Sequence, residues 1–150
     1  VYQRAVSIVC AAGVVATMLM SGCAINSECR AGGKRPPGLT RHDLVGTYVH
    51  SDISITLKGD GEFTTQGWPT NVDGPVSRLG SGTWELTAPD DPDYSVSFAF
   101  RKITGFWNSE AKGGGYYGTG LYLGGSRKEP HLWEFVGDPD ACDFVVYKRS

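Results

Sequence analysis

Ile53-Ser54-Ile55-Thr56-Leu57-Lys58-Gly59-Asp60-Gly61-Glu62-Phe63-Thr64-Thr65-Gln66 is the stretch that decides the fold. Ile53, Ile55 and Leu57 alternate with Ser54, Thr56 and Lys58, the period of a half-buried strand. Gly59-Asp60-Gly61 then marks a hairpin, because Asp-Gly tolerates the positive φ angles of a type I′ turn. Residues 62–66 return with Phe63 and Thr65 on one face. An amphipathic helix would space its apolar residues three and four apart; here they stand two apart.

The same pattern extends in both directions. Upstream, Thr40-Arg41-His42-Asp43-Leu44 reads as a single helical turn with Thr40 as N-cap, and residues 46–50 as the first strand. Downstream, residues 67–81 form a polar loop holding Trp68, Pro69 and Pro75, and 82–86 resume the sheet with Trp84 and Leu86 inward. Residues 89–93 make a turn; 94–100 alternate again, placing Tyr94, Val96, Phe98 and Phe100 together. Residues 118–124, 131–136 and 142–148 supply three more strands, the last with no clean inside face. The expectation is an all-β, antiparallel meander of about eight strands over residues 41–150, which removes its edges by closing into a small barrel. An open sandwich is the rival. The 21 glycines and four tryptophans suit a turn-rich β domain.

The amino-terminal part is different in kind. Residues 5–20 are almost wholly apolar behind Arg4, and about 16 residues span roughly 24 Å as a helix, short of a ~30 Å hydrocarbon core. A secretory signal fits better than a permanent span. Leu19-Met20-Ser21-Gly22-Cys23 resembles the lipobox of bacterial lipoproteins. That resemblance implies cleavage after Gly22, lipidation of Cys23, and a protein anchored on the extracytoplasmic face of the cell membrane. An ordinary cleaved signal that leaves Cys23 a plain thiol is the alternative. Residues 1–22 are thus expected to be a signal peptide and 23–40 a flexible lipidated tether.

That tether carries Arg30, Lys34 and Arg35, with Arg41 just beyond it, and no acid between Glu28 and Asp43. Such a run either lies along anionic lipid or is a solvated linker. With Cys10 lost and Cys23 acylated, Cys29 and Cys142 remain, and outside the membrane such a pair is expected to form a disulfide. The bond would hold the last strand within six residues of the lipid, at most about 20 Å of chain. A zinc site of Cys29, Cys142, His42 and His131 lacks metal-ligand spacing. The mature chain has a net charge near −3, which argues against nucleic acid as a partner.

Leu44-Val45-Gly46-Thr47-Tyr48, residues 55–64, Ser81-Gly82-Thr83-Trp84-Glu85-Leu86 and Gly137-Asp138-Pro139-Asp140, taken in that order, resemble actinobacterial lipoproteins with a lipocalin-like domain. Tyr48 stands where lipocalins carry the Trp of a Gly-x-Trp motif, so the resemblance is to the wider calycin-like group. It implies a fold and brings no known substrate or site.

Trp84, Phe98, Phe100, Trp133 and Phe135 fall on alternating positions of three strands. They either line a pocket for one apolar or amphipathic ligand or fill the interior. The 67–81 and 104–117 loops, with Trp68 and Trp107, are the expected gates. Seven glycines from 113 to 125, interleaved with Tyr116, Tyr117 and Tyr122, either give curvature or let something approach the backbone. No nucleophile–base pair, phosphate loop or calcium loop is present, so neither enzyme activity nor a cofactor is expected. The resulting expectation is a membrane-anchored lipoprotein binding a small apolar or amphipathic ligand or an envelope component. The alternative is an interaction or structural module with a filled barrel, contacting its partner through exposed tyrosines.

Overall fold

The computed structural model describes residues 32–70, 78–91, 93–104, 117–138 and 141–150. Eight strands form a closed barrel in sequence order: β1 (Gly46–His50), β2 (Ile53–Leu57), β3 (Glu62–Gln66), β4 (Leu79–Leu86), β5 (Val96–Ile103), β6 (Tyr117–Gly125), β7 (Pro130–Phe135) and β8 (Phe144–Arg149). Every neighbouring pair is antiparallel, and β8 returns to β1 through Tyr48↔Arg149 and Val49↔Lys148. The meander therefore closes on itself, as the hairpin pattern predicts, and the sandwich is excluded.

Differences from the sequence reading are local. The β2–β3 hairpin is present, but the positive φ falls on Gly61 (φ 91°), whose N–H donates to Lys58 O at 3.1 Å. That makes a three-residue loop closed by glycine rather than a two-residue type I′ turn. Strand β4 begins at Leu79 because Leu79, Gly80 and Ser81 pair with Gln66, Thr65 and Thr64. The polar loop is correspondingly shorter than 67–81. Tyr94 precedes β5 and leaves its alternation, lying exposed outside while Val96, Phe98 and Phe100 point in.

One end of the barrel is shut. Residues Arg41–Leu44 form a 3₁₀ turn, with the Thr40 backbone N–H and hydroxyl both donating to the Asp43 carboxylate at 2.8 and 2.6 Å. Leu44 is buried beneath it, and Tyr48 Oη donates to Leu44 O at 2.9 Å. The Arg149 guanidinium lies 5.5 Å over the Tyr48 ring and donates to the carbonyls of Asp43 and Val45. Arg41 sits 5.0 Å over Trp84. Together they cap the barrel where β1 begins. The β3–β4 and β5–β6 connections leave the opposite rim.

The described end of the 23–40 tether is laid on the barrel. Gly32 and Pro36 are buried, Leu39 joins the core, and Arg35 donates to Thr87 O at 2.8 Å. From Gly32 onward this stretch belongs to the folded unit.

Candidate functional site

Alternation decides which side chains meet inside. Tyr48, Ile55, Leu57, Phe63, Trp84, Val96, Phe98, Phe100, Leu121, Leu123, Leu132 and Tyr147 form one buried core. Trp84, Phe98 and Phe100 therefore stand inside, as expected. Trp68, placed by sequence in a gating loop, is also inside and 0% exposed. Its ring centroid lies 4.9 Å from that of Phe98 and 5.5 Å from that of Phe100, and its carbonyl accepts from Thr65 Oγ1 at 2.9 Å. The indole lies inside the barrel, toward the end opposite the Arg41–Leu44 cap. Trp107, the other proposed gate residue, lies outside the described residues.

Beside this indole sits a carboxylate. Leu132 and Glu134 share the inner side of β7, and Glu134 Oε1 accepts from Trp68 Nε1 (3.1 Å), Thr70 Oγ1 (3.3 Å) and Tyr147 Oη (2.5 Å). Burial raises the Glu134 pKa above the ordinary carboxylate value, and the three donors offset part of that rise. Burial and the adjoining carboxylate together raise the Tyr147 pKa. Chemically, this site can hold a donor or a proton; it lacks a nucleophile among the described residues. Sequence reasoning missed Glu134. The signal was a lone charge among apolar residues in Leu132-Trp133-Glu134-Phe135.

The inward Glu134 forces Trp133 and Phe135 outward. This corrects their expected place in the interior: Tyr122↔Trp133↔Val146 is a row on the solvent side. There Tyr122 stacks on Trp133 with centroids 4.5 Å apart, Phe135 meets Trp133 edge-on at 5.1 Å, and Phe144 stands 6.3 Å from Trp133. Tyr94 joins at 5.8 Å from Tyr122. Gly32 crosses this wall. A side chain on Gly32 would overlap the Trp133 ring, and a Cβ on Gly124 would lie 1.8 Å from Gly32 O. His131 Nε2 also meets Gly32 O, at 2.6 Å. The glycines of β6 thus admit a close backbone, and that backbone is the chain's own amino-terminal segment.

Of the tyrosines expected to make an exposed contact, Tyr122 is on the outer wall, Tyr117 packs on the core, and Tyr116 lies outside the described residues. Cys142 is engaged in a disulfide; Cys29, its expected partner, and Cys23 lie outside the described residues. No group of three His, Cys, Asp or Glu residues converges as a metal site among the described residues, and Cys29 of the candidate zinc set lies outside them. No family model, no curated protein and no solved structure matches the chain.

Proposed function

We propose that the chain is an extracytoplasmic lipoprotein, acylated at Cys23 and bridged Cys29–Cys142, whose calycin-like barrel is an interaction or structural module of the cell envelope. One observation carries the choice of module over container: Trp68 fills the interior beside Phe98 and Phe100 with no accessible surface, so no water-sized void adjoins it. A binding lumen for a drug-sized ligand needs about 300 Å³ or more. The aromatic wall of β6–β8 then offers the contact surface. Native mass spectrometry of the protein purified from its own host tests this reading. The expected result is an acylated Cys23 peptide, a Cys29–Cys142 bridge lost on reduction, and no co-purifying small molecule.

A second reading is favoured by the half-buried Glu134. A ligand with an apolar body and a hydrogen-bond donor, on displacing Trp68, would find that carboxylate waiting. A small molecule retained in the native spectrum and lost in Glu134→Leu would select this container reading over the module.

A further inference from the structure

The solvent-side aromatic wall is only partly covered. Gly32 leaves Trp133 just 3% exposed, whereas Tyr94 is 39% exposed, with Tyr122, Phe135 and Phe144 half-buried. What covers Trp133 arrives from the anchored end of the chain. Eight residues lie between Cys23 and Gly32, a contour of at most about 30 Å.

Resting on the lipoprotein reading above, we propose that this wall lies against the lipid head-group layer. Tyr94, Tyr122, Phe135 and Phe144 enter the interface. Three arguments meet here. The tether leaves from this wall, so anchoring presents it to the bilayer before any other. Rings with polar edges are the side chains that settle at head-group depth. A short tether also holds the wall at an effective concentration of roughly millimolar, so a weak apolar contact is enough.

Charge does not select the orientation. Lys148 and His131 border one end of the wall, and Asp138 and Asp143 the other. The contact should therefore depend little on salt or on anionic lipid. The opposite wall has no aromatic row: its outward row is Thr47, Thr56, Thr64 and Ser81, with Val49 and Leu79 exposed toward the rim.

The test uses the full acylated chain on phosphatidylcholine vesicles, with and without phosphatidylglycerol. A benzophenone amino acid replaces Phe144, Tyr94 or, as the control, Thr64, one at a time. Roughly fivefold more phospholipid adduct from Phe144 or Tyr94 than from Thr64, at both compositions, is the supporting result. Equal lipid yields, or adducts only with protein (a second copy included), overturn it. The mass of the Cys23 peptide is read from the same sample. An unmodified Cys23 removes the lipoprotein reading, whereas acylation without the positional preference removes this inference alone.

Discussion

Across β1 to β4 the barrel shows the solvent a row of hydroxyls; across β6 to β8 it shows a row of rings. Thr47, Thr56, Thr64 and Ser81 are successive cross-strand partners, with Thr47 Oγ1 and Thr56 Oγ1 3.0 Å apart. On the other side Tyr122, Trp133 and Val146 occupy one register, flanked by Phe135 and Phe144. Both rows belong to the same closed sheet. The polar wall is complete when its hydroxyls meet water. The aromatic wall needs a cover, and the backbone at Gly32 supplies part of it.

The contrast can be broken by substitution. Trp68→Ala sets the interior benchmark and should cost about 3–5 kcal/mol in denaturant unfolding. Trp133→Ala, although on the solvent side, should cost about 2 kcal/mol or more, because its indole is packed beneath Gly32. Thr64→Ala on the polar wall should stay within about 0.5 kcal/mol. Equal, small losses at 133 and 64 would erase the distinction between the walls.

Gly124→Ala sharpens it. The new methyl would meet Gly32 O and the His131 ring, for an expected loss of about 1–3 kcal/mol and faster proteolysis near Gly32. Gly118→Ala, with nothing within 4 Å of the added carbon, should be neutral or stabilising by about 0.4–1 kcal/mol. If the two behave alike, the amino-terminal segment is not seated on β6.

Acidity gives the smallest effect and separates the two ends of the barrel. The Glu134 pKa is raised in the folded protein, so its contribution is complete below the ordinary glutamate value. It is lost as pH rises through the folded pKa. The Asp43 carboxyl is lowered from 3.8 to about 2, chiefly by the Thr40 hydroxyl and then by the Thr40 N–H, with Arg127 adding to it. Its contribution is present above 3.8 and lost as pH falls through about 2. Melting curves of Glu134→Gln should lose the decline above the glutamate range and keep the acid limb. A variant that retained both slopes would move the first to another group.

Where a strand has one apolar parity, its inward face is legible in sequence, and β2 and β3 read correctly for that reason. Strands β7 and β8 carry apolar residues on both parities: Leu132, Trp133 and Phe135 in one, Phe144 through Tyr147 in the other. Hydropathy then cannot choose. Partners far along the chain decide instead: Trp68 and Tyr147 draw Glu134 inward, and Gly32 lies over Trp133. Trp68 was hidden by its setting, since a proline-bearing polar loop gives no local sign that its indole turns into the barrel.

Closure itself rests on few rungs. Strand β8 meets β1 at two register positions, where β3 and β4 share five. This short seam is the clasp of the cylinder, reinforced by Arg149 and by Ser150 N–H donating to Thr47 O at 2.9 Å. A load applied at Gly32 reaches its seat on β6 and β7 before it reaches β1. The seat is a strain relief, so pull on that segment is spent on the wall while the clasp stays fastened.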